Sequence, residues 1–222
     1  MISEERVARM RQVLGRRQDD LEVVLEDLRD PHNASAVLRT ADAFGVGGVT
    51  LVYRHARQPR ISRLVSGHTK RWTRLHRTDD PVSACAALRE RGLRVFAAAI
   101  TEEATPYLEV DWTRPAAIVL GSEKDGCSPE LLAAADSQVR IPMLGFSQSL
   151  NVSVAAAVLL AEVARQRLAA GLFEETWSPE KQAVLDSWID RELPSRRWRR
   201  LEAPAPASEA GGEAVDLREK LP

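Results

Sequence analysis

Three short polar clusters hold the residue types that could move a proton or hold a small ligand. They are Asn33 with Ser35 and Arg39, the run Gly121-Ser122-Glu123-Lys124-Asp125-Gly126, and Ser149 with Asn151. Ser35 and Arg39 are four residues apart, so on a helix a hydroxyl and a long cationic side chain project from one face. The glycines around the charged triplet let a backbone approach a ligand closely, and they also suit a tight turn. Ser149 and Asn151 sit where the apolar run beginning at Ile141 gives way to a long apolar helix. Small polar residues there either cap the helix or leave its first N–H groups facing a ligand. Taken singly, each cluster has an ordinary reading as a solvated arginine, a turn or a cap.

A fourth feature concerns partners. The chain has 222 residues and a formal net charge of -1, yet from Arg54 to Arg77 it carries eight Lys or Arg and no acid. Three of the four histidines fall in the same window, and a second basic cluster runs Arg196-Arg197-Trp198-Arg199-Arg200. Such local asymmetry points to a polyanion, and Trp72 and Trp198 among the charges are candidate base-stacking surfaces. Absences narrow the chemistry. No GxGxxG follows the first strand, and no GxxxxGK, GxSxG or HExxH occurs, so the common dinucleotide, triphosphate, hydrolase and zinc-protease readings lose their main support. Cys85 and Cys127 lie far apart without metal-ligand spacing and are expected to be reduced, packed thiols. Neither a membrane span nor a signal peptide is evident, so a cytoplasmic protein is expected.

The elements that must position these residues alternate. Helix is expected from Glu4 to Leu14 behind Ser3, then strand from Leu21 to Leu28, and a helix capped by Asn33 and ended by Gly45. Strand at Val49 to Tyr53, helix after Asp80-Pro81 ending at Gly92, and strands at Leu93 to Ile100 and Ala116 to Leu120 follow. Ser128-Pro129-Glu130 opens a short helix, Gln138 to Met143 is strand, and helices begin at Asn151 and after Ser178. This alternation implies an α/β fold, with a mostly parallel sheet, helices on both faces and ligands beyond the carboxyl ends of the strands.

The segments Asn33 to Val46, Ile118 to Gly126 and Ile141 to Ala157, in that order, resemble the three motifs of SpoU-type RNA 2′-O-methyltransferases of the SPOUT superfamily. The resemblance covers roughly residues 5 to 190. Arg16 to Leu21 and Pro31-His32-Asn33 are similar to the opening of the tRNA guanosine-18 subgroup. The family implies a deep trefoil knot in the C-terminal part of the sheet, S-adenosyl-L-methionine held largely by backbone groups, and a homodimer with the site near its interface. Carried onto this chain, the cofactor positions are Ala98, Gly121, Ile141, Ser149 and Leu150. The catalytic set is Arg39, Asn33, Glu123, Ser149 and Asn151, with Arg39 matching the family's catalytic arginine. Arg54, Arg57, Arg60, Lys70 and Arg71 of the basic window are the expected RNA contacts, and no metal is expected. Phe146-Ser147 stands where Met-Val is frequent, Ala98 where threonine is frequent, and the window diverges around Gly67 to Trp72, which bears on the choice of RNA.

The expected organisation is an N-terminal RNA-binding helix at 1–20, the methyltransferase domain at 21–173, a helical extension at 174–201 and a disordered tail at 202–222. The expected activity is methylation of the ribose 2′-OH of guanosine 18 in tRNA. Methylation of ribosomal RNA or another tRNA position, or a knotted RNA-binding protein without catalysis, are the alternatives.

Overall fold

The computed structural model describes residues 2–54 and 72–192. Seven strands form one sheet: β1 (Gln18–Glu26), β2 (Val46–Val52), β3 (Arg74–Thr78), β4 (Arg94–Ala98), β5 (Thr105–Pro106), β6 (Ala116–Leu120) and β7 (Ser137–Arg140). Their order is β3-β2-β1-β6-β4-β7-β5, and all six pairings are parallel. The helices are α1 (Glu4–Gly15), α2 (Pro31–Ala43), α3 (Pro81–Glu90), α4 (Pro129–Ala134), α5 (Val152–Ala169) and α6 (Pro179–Glu192).

Two apolar layers explain the arrangement. Successive side chains of a strand face opposite ways. Leu21, Val23 and Leu25 of β1 accordingly pack with α2 and α5, while Val24 joins Val95, Ala97, Ala117 and Val119 under α3 and α4. The central β6, Ala-Ala-Ile-Val-Leu, is buried throughout, as a strand covered on both faces must be. Buried Arg167 joins α5 to the start of β1. Its guanidinium donates to the carbonyls of Trp112 and Arg114 at 2.9 Å each, to Gln18 Oε1 at 3.0 Å and to Asp20 Oδ1 at 2.6 Å. The flanking helices α1 and α6 share a separate cluster built on Met10, Leu14, Leu185 and Trp188. Lys181 fastens them to the sheet by donating to the carbonyls of Gly15 and Arg17, both at 3.1 Å.

Several elements differ from the sequence expectation for identifiable reasons. β3 lies inside the basic window and was not anticipated, because it is an edge strand whose Arg74, His76 and Arg77 face solvent. The opposite edge, β5, is two residues long and includes a proline, which also blunts an edge. β7 stops at Arg140 rather than Met143, since its neighbour β5 ends there. Gly45 ends α2 as expected, with φ +70, a conformation a side chain would strain. Among the described residues no helix is long and apolar enough to cross a membrane.

Candidate active site

Parallel strands send their carboxyl ends to one edge of the sheet, and all three motifs leave from that edge. Ala98 ends β4, Gly121 follows β6 and Ile141 follows β7, on three neighbouring strands whose register pairs Ala97 with Val119 and Ala98 with Val139. Gly121 has to be glycine. A Cβ there would overlap the Gly126 carbonyl and the Cys127 amide, because the chain folds back on itself through the Ser122–Gly126 bridge.

Asn33 is not the cap of α2. Asp30 is, accepting the His32 amide at 2.8 Å, with Pro31 at the first helical position. A side-chain amide spent on capping could not reach across the site. Instead Asn33 Nδ2 donates to Glu123 Oε1 at 2.9 Å, and Asn33 Oδ1 accepts from Asn151 Nδ2 at 3.1 Å. Glu123 also accepts the backbone amides of Arg29 at 3.1 Å and Asp30 at 3.3 Å. Asn151 caps α5 as expected, its Oδ1 taking the Ser153 amide at 2.9 Å. One hydrogen-bonded network thus joins the turn before α2, the Gly121 to Gly126 loop and the start of α5. Burial pushes the Glu123 carboxyl up, but hydrogen bonds from Asn33 and the Arg29 and Asp30 amides outweigh it and hold it below the usual carboxylate range.

Arg39 stands apart from that network. It is six residues beyond Asn33, about 9 Å along the helix axis, and exposed. Among the described residues it makes no ion pair or hydrogen bond through its side chain, whereas Asp42 on the same helix pairs with Arg17. The expected partnership with Ser35 is not found, because Ser35 is buried and its hydroxyl donates to the Pro31 carbonyl at 2.6 Å. Ser149 and Leu150 are exposed, two residues or fewer before the Asn151 cap. Among the described residues, positions 142–150 show no hydrogen bond of their own, so this backbone is open to a ligand. Leu144 and Phe146 in the same loop are fully exposed.

The matches to known proteins coincide with this geometry. Residues 20–161 match the family model described as the SpoU rRNA Methylase family. The chain belongs to the SpoU methylase family. Among its relatives, the tRNA (guanosine(18)-2′-O)-methyltransferase of Thermus thermophilus is 47% identical over 84% of this chain and 97% of its own length. The enzyme of the same name from Aquifex aeolicus is 36% identical over 90% of this chain and 96% of its own. The crystal structure of the A. aeolicus TrmH/SpoU tRNA modifying enzyme superposes with a TM-score of 0.81 at 34% identity, covering 86% of this chain and 98% of that one.

Within this SpoU chain the remaining expected residues fall unevenly. Arg54 is held at both ends: its amide donates to Asp27 Oδ1 at 3.0 Å and its guanidinium pairs with Glu130 at 2.9 Å. Arg57, Arg60, Lys70, Arg71 and Trp198 lie outside the described residues. Trp72 is not an open stacking surface, because its ring packs edge-on against Trp188 at 5.2 Å and carries the Arg6 guanidinium at 5.6 Å. Cys127 is a packed thiol at the root of the second motif, donating to the Ala98 carbonyl at 3.5 Å, and burial pushes it up to about 12. Sequence reasoning missed Asp30 and the two amides it places beneath Glu123. The available signal is the acid-proline pair, which marks the helix start at Asp30-Pro31 as it does at Asp80-Pro81, and which the competing cap residue Asn33 obscures.

Proposed function

We propose that this protein methylates the ribose 2′-oxygen of guanosine 18 in tRNA, using S-adenosyl-L-methionine. One observation carries the choice of substrate. The similarity to the two tRNA (guanosine(18)-2′-O)-methyltransferases extends over 189 and 205 residues, beyond the catalytic segment 20–161 and into the flanks. Catalytic motifs alone would be shared with enzymes acting on other RNAs.

The donor set suits the cofactor. Uncommitted backbone at 142–150, three adjacent strand ends at Ala98, Gly121 and Ile141, and apolar side chains such as Leu150 offer polar contacts and walls without needing a charged cradle. The solved structure of the SpoU methyltransferase AviRb in complex with AdoMet is 27% identical to this chain and has a TM-score of 0.62. S-adenosyl-L-methionine supplies a sulfonium methyl group to the attacking 2′-oxygen. The chain's own part is alignment and proton control. A guanidinium offers only N–H donors and no acceptor, so Arg39 is no ordinary base. Its role is to bind a substrate phosphate and hold it where it can take the 2′-OH proton. Asn33 orients the ribose, Glu123 fixes Asn33 from behind, Asn151 sets the loop in front of α5, and Ser149 in that loop faces the ligand.

We assign the physiological dimer to the exposed apolar surface of Leu144, Phe146 and Val154, which a second copy would cover. The trefoil knot belongs to the same reading. Its support is that β7 inserts between β4 and β5, which both precede it in the chain, before α5 returns over the sheet. The helices α1 and α6 help hold tRNA, the basic residues Arg57, Arg60, Lys70 and Arg71 contribute charge toward it, and the enzyme acts in the cytoplasm. The family model's own description favours ribosomal RNA as the second reading. Incubation with labelled S-adenosylmethionine and separate tRNA and ribosomal RNA transcripts, followed by mapping, decides between them. Label at guanosine 18 is the expected outcome, and label confined to ribosomal RNA would overturn it. A transcript with deoxyribose at position 18 should accept no methyl group.

A further inference from the structure

Glu26 is the last residue of β1 and is only 4% exposed. A carboxylate at that depth requires hydrogen-bond donors. One residue supplies them for both oxygens: the Ser128 amide donates to Oε2 at 2.8 Å and the Ser128 hydroxyl to Oε1 at 2.5 Å. Ser128 is also the cap of α4, its Oγ accepting the Leu131 amide at 3.2 Å. It stands where the second motif ends. Just before it, Cys127 donates to the Ala98 carbonyl, and the Gly126–Cys127 backbone lies directly against Gly121. Ser122 and Gly126 exchange backbone hydrogen bonds of 2.9 and 3.0 Å. The segment is therefore closed on itself at one end and tied to β1 at the other.

We propose that Glu26 is a positioning residue for the methyl-donor pocket, acting through Ser128 to set segment 121–127 against Ala98. The inference rests on the S-adenosylmethionine site proposed above. A role confined to stabilising α4 would lower thermal stability and leave cofactor affinity untouched.

The test uses Glu26→Gln, Ser128→Ala and the double variant in the full chain, at a temperature where circular dichroism shows each to be folded. In the glutamine variant the carboxylate charge is lost and one oxygen becomes an NH2, so the Ser128 hydroxyl must turn from donor to acceptor while still accepting the Leu131 amide, and the contact is weakened. Calorimetry should show S-adenosylmethionine binding weakened at least tenfold, with KM for the cofactor raised more than kcat is lowered. In the ligand-free protein, amide exchange at Ser122 and Gly126 should quicken at least tenfold while the α2 amides keep their rates. The double variant should be no worse than the poorer single one, because both break the same contact. Cofactor affinity within twofold of wild type, unchanged exchange at Ser122 and Gly126, or additive effects would each overturn the inference. Absence of cofactor binding by the wild-type chain would instead remove the functional reading, and this inference with it.

Discussion

Replacing Arg39 with alanine should separate catalysis from folding. The guanidinium is exposed and meets no acid or carbonyl among the described residues, so its loss strands no partner. Arginine and alanine are both strong helix formers, and α2 keeps its Asp30 cap and Pro31. A surface substitution of this kind stays within about 0.5 kcal/mol. For a chain of this size that is about 1–2 °C in Tm. Activity should respond on another scale. Removing one preorganised donor from a reacting centre costs about 2.7–4 kcal/mol, equivalent to a loss of about 10²–10³ in turnover. The assay is initial-rate methyl incorporation into a tRNA transcript, with cofactor affinity by calorimetry and a thermal melt on the same preparations. Arg39→Lys should fall between the two, since it keeps the charge but loses the planar fork. Turnover within threefold of wild type would refute the reasoning. So would an activity loss that merely follows a large fall in Tm.

Three further outcomes are expected. Asn33→Ala removes one hydrogen bond to an ionised carboxylate and one to Asn151, both solvent-exposed. It should cost about 1 kcal/mol of stability, and a double-mutant cycle with Asn151→Ala should show coupling where an unconnected pair would show none. Glu123 has a folded pKa below its ordinary 4.5, so its contribution is fully present above that value and is lost as pH falls through the lower folded pKa. Stability measured from pH 8 to 3 should therefore differ between wild type and Glu123→Gln at neutral pH and converge at the acid end. Arg167→Met leaves the Trp112 and Arg114 carbonyls without their buried donor. The expected loss is about 3 kcal/mol in chemical denaturation, with KM for tRNA unchanged in the folded protein.

Much of the molecule could be read locally. The caps at Ser3, Asp80, Ser128 and Asn151 stand where their residue types and the following prolines or apolar residues put them. β6 was located to the residue because Ala116 to Leu120 is apolar on both faces. The edge strands escaped notice for the opposite reason: β3 is cationic and β5 is two residues long, so neither carries the alternation that marks a half-buried strand.

The candidate site divides in the same way. Its residue types, their order and the exposed position of Arg39 on a helix follow from the sequence, because helical spacing and caps are properties of neighbours in the chain. The tertiary structure alone decided that Asn33 bonds Glu123 and Asn151, 90 and 118 residues away, and that Ser35 turns inward. It also decided that Glu26 is spent on Ser128. Those choices depend on which strand ends the parallel register brings side by side, and no local pattern encodes that.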